Sequence, residues 1–172
     1  HPHVAKVLDC GCVGDHPYLV LEYIQGHSLR EMLQPGQPIA WQQAAPILQQ
    51  LASALSALHA KCILHRDVKP ENVLIDDEGC VKLIDLSIGT EIQEVGGLTT
   101  QNQFLGTVDY MAPEQTGRMN MNIDYRADFY ALGATFYEML TGDLPFQFSD
   151  PLELIHAHLA LPPPDASSRT PS

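Results

Sequence analysis

Basic residues are scarce in this chain. Nine Lys and Arg stand against 21 Asp and Glu among 172 residues, a formal net charge of −12. That balance argues against a nucleic-acid partner, because such binding rests mainly on basic surface that neutralises phosphates. Long apolar runs are lacking as well. None approaches the roughly 20 residues that a membrane-spanning helix needs. Cysteine is sparse, with Cys10, Cys12, Cys62 and Cys80 scattered along the sequence. A disulfide framework is not expected in a chain of this size and type. Cys10-Gly-Cys12 is followed by no second Cys pair at zinc spacing, so it reads as a turn between two strands. His156 and His158 lie two apart on an expected helix and do not face one another, so no metal is expected there. No signal peptide is visible. The first residue is His1 rather than Met, so the natural N-terminus is expected to lie upstream. No internal repeat is present.

What is present is an ordinary globular composition, 45% hydrophobic. Val4 to Leu8 and Tyr18 to Tyr23 read as an antiparallel pair, with Gly11, Gly14 and Pro17 between them. Gly26 is expected to end the strand, and Ser28 to cap a short helix through Leu33. Ala44, Ile47, Leu48, Leu51, Leu55 and Leu58 recur at helical spacing, which predicts a long helix from Trp41 to Ala60 with one buried face. Asp76-Asp-Glu-Gly79 is a turn signal between Val73-Leu-Ile75 and Val81-Lys-Leu-Ile84. Residues 86 to 106 lack periodicity, and a loop of that length inside a domain is usually functional. A mostly apolar helix is predicted from Asp124 to Leu140, with Gly142 just past its end. Another follows Asp150, which can cap it, with Pro151 at the first helical position. Residues 161–172 are rich in Pro and Ser and are expected to be disordered.

The most specific signal is Ile63-Leu-His-Arg-Asp-Val-Lys-Pro-Glu-Asn-Val-Leu-Ile75, followed by Lys82-Leu-Ile-Asp85. It sets an Asp, a Lys and an Asn at fixed offsets in one loop, and a second Asp after the next apolar run. Phosphoryl transfer uses such a set. Asp67 can accept or orient the proton of a substrate hydroxyl, and Lys69 can neutralise charge on the moving phosphoryl group. Asn72 and Asp85 can hold magnesium against nucleotide phosphates. The hairpin between them would bring Asn72 and Asp85 to the same edge of a sheet.

The spacing H-R-D-x-K-x-x-N resembles that of eukaryotic-type Ser/Thr protein kinases. Gly106-Thr-Val-Asp-Tyr-Met-Ala-Pro-Glu114 resembles the end of a kinase activation segment. Asp128-Phe-Tyr-Ala-Leu-Gly133 resembles the start of the helix beneath the catalytic loop, and His1-Pro-His-Val-Ala-Lys6 the entry to the fourth small-lobe strand. The resemblance implies an α+β, protein kinase-like fold in truncated form: small-lobe strands and hinge over 1–24, and most of a mainly helical large lobe over 25–160. It implies ATP and Mg2+ as cofactors and Ser or Thr of a protein substrate as acceptor. It assigns the Glu22 carbonyl and the Ile24 amide to the adenine edge, Leu21 to the guard of the back pocket, and Leu74 to the pocket floor. It gives Asp128 the task of accepting backbone amides of the catalytic loop. Arg66 would grip a phosphorylated Thr99 or Thr100, Thr107 would mark the Ser/Thr class, and Glu114 would pair with an Arg of a later helix.

Three features depart from that pattern. No Gly-rich loop, third-strand Lys or partner Glu is present, and Lys6 does not substitute for the Lys. The magnesium-loop tripeptide is Asp85-Leu86-Ser87 rather than Asp-Phe-Gly. The last large-lobe helices are missing. This fragment alone is therefore expected to be inactive. A pseudokinase-like signalling or interaction domain is the alternative reading. Pro113-Glu-Gln-Thr-Gly-Arg-Met-Asn120, Ile123-Asp-Tyr-Arg-Ala-Asp-Phe-Tyr130 and Pro151-Leu-Glu-Leu-Ile-His-Ala-His158 resemble one bacterial subgroup. In it a kinase-like domain precedes AAA-type ATPase, GAF and histidine kinase modules of a large sensor. A cytoplasmic location is expected.

Overall fold

The computed structural model describes residues 1–85, 108–119 and 121–169. Among the described residues lie two small sheets and four α-helices. β1 (Val7–Val13) and β2 (His16–Leu21) form an antiparallel ribbon. β3 (Gly26–Ser28), β4 (Val73–Asp76) and β5 (Val81–Leu83) form a second antiparallel sheet in the order β3-β4-β5. The helices are α1 (Leu29–Met32), α2 (Trp41–His59), α3 (Arg126–Thr141) and α4 (Pro151–Ala160). The ribbon and the second sheet fall on either side of the boundary expected at residue 24.

The expected ribbon forms, but its first strand begins three residues late and runs to Val13, so Cys10-Gly-Cys12, expected as a turn, is paired strand opposite Pro17 to Leu19. Residues 3–5 are engaged elsewhere: Leu83 N–H donates to the His3 carbonyl at 3.0 Å and Ala5 N–H to the Leu83 carbonyl at 2.9 Å. A parallel bridge between Val4 and Leu83 thus ties the start of the chain to β5. Gly26 does not end a strand; it opens β3, opposite Asp76. A Cβ at Gly26 would lie 2.1 Å from the Ile75 carbonyl oxygen, so only glycine allows this backbone approach.

Period-2 alternation on β4 and β5 buries Val73, Ile75, Val81 and Leu83. That face packs on α2, whose Leu51, Leu55 and Ala54 are fully buried, and α2 in turn packs on α3 with Met139. Burial of each such Leu is worth roughly 1.5–3 kcal/mol. Ser28 caps α1 in a reciprocal box with Glu31. Asp150 caps α4 by accepting the Leu152 amide. No helix is long and apolar enough to cross a membrane among the described residues. All four cysteines are free thiols. In the Pro- and Ser-rich tail, Ala166–Ser168 form a 3-10 turn capped by Asp165; residues 170–172 lie outside the described residues.

Gly142 ends α3 at φ 76°, its N–H donating to the Glu138 carbonyl at 2.8 Å. A Cβ there would lie 2.3 Å from the Gln37 amide nitrogen, whereas one at Gly79, φ 81°, would meet nothing within 4 Å. Gly79→Ala is therefore expected to cost only the left-handed penalty, about 1–2 kcal/mol. Gly142→Ala should add an overpacking cost of about 1–3 kcal/mol. Equilibrium urea unfolding of both variants checks this, and equal losses would contradict the close approach at Gly142.

Candidate active site

The loop between α2 and β4 buries His65, Val68, Pro70 and Asn72, so the backbone that carries them needs buried partners. Asp128, in the first turn of α3 and 1% exposed, supplies them. It accepts the His65 amide at 3.0 Å and the Arg66 amide at 2.7 Å. Its Oδ2 also meets His59 Nε2 at 2.7 Å, a partner that sequence reasoning missed. His65 is fully buried, and burial pushes its pKa down. Its Nε2 lies 2.9 Å from the Ile84 carbonyl, and the Asp67 amide donates to its Nδ1 at 3.3 Å. Both contacts fit a neutral ring protonated on Nε2.

Three of the four expected chemical residues touch. Lys69 Nζ stands 2.7 Å from Asp67 Oδ2. Asn72 Nδ2 donates to the same oxygen at 2.9 Å and to the Asp67 carbonyl at 2.8 Å. Asp67 Oδ2 is thus held twice, which leaves Oδ1 for a further proton donor. A 3-10 turn, Pro70–Asn72, opens with a proline whose missing N–H costs nothing there. It places Asn72, buried, at the foot of β4.

Asp85 is brought to the same place through backbone. Ile84 N–H donates to the Asn72 carbonyl at 2.9 Å, and the Ile84 carbonyl faces His65. Asp85 itself is exposed and has φ 58°. Its carboxylate takes no ion pair among the described residues. Asn72 spends its nitrogen on Asp67, so its oxygen remains available. A carboxylate and a carboxamide oxygen suit a hard divalent cation that keeps phosphates or water as its other ligands. The donor set therefore fits Mg2+. Leu86, Ser87, Thr99, Thr100, Gly106 and Thr107 lie outside the described residues.

The expected hinge has a side-chain function that the sequence did not reveal. Glu22 N–H donates to the Lys6 carbonyl at 2.9 Å. Its Oε1 accepts Lys82 Nζ at 2.8 Å and the Lys6 amide at 3.0 Å. The Lys82 hydrogen bond, followed by the Lys6 amide, holds the Glu22 carboxyl below the usual range. Lys82 opposes Leu74 across β5 and β4, so the two share a face. Leu74 and Glu22 are thereby gathered at one side of the sheet. The Glu22 carbonyl and the Ile24 amide carry no backbone hydrogen bond among the described residues. Leu21 and Ile24 are half-buried.

Residues 110–115 lie against the loop that carries Arg66 and Asp67. Gln115 Nε2 donates to the Arg66 carbonyl at 2.8 Å, while its Oε1 accepts the Ala112 amide. The amide of Arg66 is on Asp128 and its carbonyl on Gln115, which holds it at φ 67°. Tyr110, Met111 and Gln115 line a small recess beside Arg66 and Asp67. Tyr110 is buried and donates to Glu138 Oε2 of α3. No signal in the sequence marked Gln115 or Glu138, because each acts on a group far away in the chain.

A family profile described as "Protein kinase domain" matches residues 1–161. The chain belongs to the protein kinase family. It is 37% identical over 174 residues to the serine/threonine-protein kinase pkn2 of Myxococcus xanthus, covering 95% of this chain and 20% of that protein. It is 35% identical to the serine/threonine-protein kinase PrkC of Bacillus subtilis (strain 168), over 100% of this chain and 26% of that protein. It is 36% identical to the serine/threonine-protein kinase PknB of Mycolicibacterium smegmatis, over 98% and 28%. The chain thus spans about a fifth to just over a quarter of the length of these curated relatives. The α+β kinase fold expected from the motifs is the family's fold, and kinases of this family use ATP and Mg2+ in general.

One carboxyl in the segment is displaced in its titration. Burial, then the carboxylates of Glu138 and Glu71, raise Asp109 from 3.8 to about 6. A carboxyl with a raised folded pKa favours folding below its unfolded pKa and loses that contribution as pH rises through about 6. Asp109→Asn should therefore stabilise the protein at pH 7–8, by about 1–2 kcal/mol after allowance for solvent screening. The gain should fade toward pH 4. Unfolding midpoints across pH 4–8 test this, and a gain that grows on acidification would contradict it.

Proposed function

We propose that this chain carries the acceptor and metal side of a kinase active site, and that the protein containing it phosphorylates Ser or Thr of proteins in signal transduction. The contact of Asp67 with both Lys69 and Asn72, beside Asp85, carries the reading. The acceptor oxygen attacks the γ-phosphorus of ATP, the bond to the β–γ bridging oxygen breaks, and ADP leaves. The acceptor proton goes to Asp67 Oδ1, the oxygen free of Lys69 and Asn72. Lys69 offers its ammonium to the transferring group. Asn72 and Asp85 would hold Mg2+, which supplies charge neutralisation on the phosphates. The Glu22 carbonyl and the Ile24 amide would take the adenine edge, with Leu21 and Leu74 as apolar lining. These 172 residues hold no Gly-rich loop and no strand Lys, so by themselves they lack half of the phosphate clamp.

ATP as donor sets the work at the cytoplasmic side. The likeness of residues 113–130 and 151–158 to one bacterial subgroup supports attached sensor, ATPase and histidine kinase modules in the parent protein. Ser87 favours a second reading, a pseudokinase-like relay, because Ser where the family has Gly restricts positive φ.

In the full-length protein, Asp67→Asn should reduce transfer at least a thousandfold and leave nucleotide affinity within about twofold. Asp85→Ala should instead weaken Mg2+-dependent nucleotide binding at least tenfold. Radiolabel transfer and nucleotide titration separate the two. Equal binding defects would refute the assigned roles. Signalling output that survives Asp67→Asn would favour the relay.

A further inference from the structure

The catalytic set leaves one cluster of charge unused. Arg30 of α1 donates from Nη2 to Glu138 Oε1 at 2.6 Å, and its Nε stands 3.7 Å from Glu71 Oε1. Arg30 is 36% exposed and Glu138 only 8%. The other oxygen of Glu138 accepts the Tyr110 hydroxyl. These four side chains come from four separate pieces of the chain. Arg30 lies on α1, Glu71 in the 3-10 turn beside Asn72, Glu138 on α3, and Tyr110 in the segment against the recess at Asp67.

The chemistry makes Arg30 the keystone of this cluster. A buried carboxylate that loses its cation either protonates or turns toward water. Turning away removes the acceptor that fixes Tyr110, and protonation leaves only a weaker, neutral one. Nη2 makes the one hydrogen bond, to Glu138, while Nε pairs with Glu71 by charge alone at 3.7 Å, so a shorter ammonium can keep part of the attraction but not the placement of the planar group. Asp109, next to Tyr110, feels the same charges, with Arg30 the one group that opposes Glu138 and Glu71.

We propose that Arg30 is a positioning residue for the phosphoryl acceptor: through Glu138 and Tyr110 it sets where segment 108–116 lies beside Asp67, and it takes no part in binding nucleotide. The proposal rests on the kinase reading above. It deepens that reading by assigning an acceptor-side role to a residue outside the catalytic loop.

The test uses the full-length protein with Arg30→Met and Arg30→Lys. Transfer from ATP to dephosphorylated casein is measured with each substrate varied, and amide hydrogen exchange is followed over residues 108–116 and α2. Arg30→Met should raise KM for casein at least tenfold and change KM for ATP less than twofold. Arg30→Lys should fall between it and the wild type. Exchange in 108–116 should quicken at least tenfold while α2 keeps its protection. An unchanged KM for casein, equal rises in both KM values, or unchanged exchange in 108–116 would overturn the proposal. Wild-type protein that transfers no phosphate would overturn the kinase reading instead, and the exchange rates would still decide whether Arg30 holds the segment.

Discussion

Asp128 brings a carboxylate into the interior, where an unpaired charge would cost about 3–5 kcal/mol. Its partners are the amides of His65 and Arg66 and the ring of His59. None of these can be exchanged for water without leaving the charge bare. The first turn of α3, the end of α2 and the loop before Asp67 are therefore locked to one another. Asp67, Lys69 and Asn72 follow that loop within a few residues, so their geometry descends from the same buried group. Mobility of the loop would cost the folded state itself, so the arrangement of Asp67, Lys69 and Asn72 is fixed by the fold.

Backbone strain shows where that rigidity is spent. Arg66 and Asp85 hold φ of 67° and 58°, a region that costs non-glycine residues about 1–3 kcal/mol each. At Arg66 the strain is offset from both sides, by Asp128 on its amide and Gln115 on its carbonyl. At Asp85 the preceding peptide is fixed, since Ile84 bonds both Asn72 and His65. Arg66 directly precedes the first of the chemical residues and Asp85 is the last of them; Cys62, at φ 57°, lies four residues before Arg66. The catalytic loop and the β4–β5 hairpin are thus joined through His65, a neutral ring with one proton and one lone pair, each in use.

Much of the architecture could be read from local pattern. The apolar spacing of α2, the Ser28 and Asp150 caps, the glycine after α3 and the turn after β4 are each decided within a few residues. Expectation failed where a segment found a distant partner. Val4 left its predicted strand for Leu83. Gly26 joined a strand because Ile75 and Asp76 come close enough to require it. The Glu22 side chain, assigned no task, accepts from the Lys6 amide and from Lys82 Nζ.

The sequence by itself determined which chemical groups are present and at what offsets: Asp67, Lys69 and Asn72 within six positions, and Asp85 one hairpin later. It also determined the helices and the hairpin, because propensity, capping and periodicity are short-range properties. Only the tertiary structure decided which of Asp67's oxygens is held, that His65 is neutral, and that Asp128 answers three partners at once. It alone joined Arg30, Glu71, Tyr110 and Glu138, which stand up to 108 positions apart in the chain. The reason is physical. A buried charge takes whatever donor the packed interior brings within reach, and that choice leaves no spacing in the sequence.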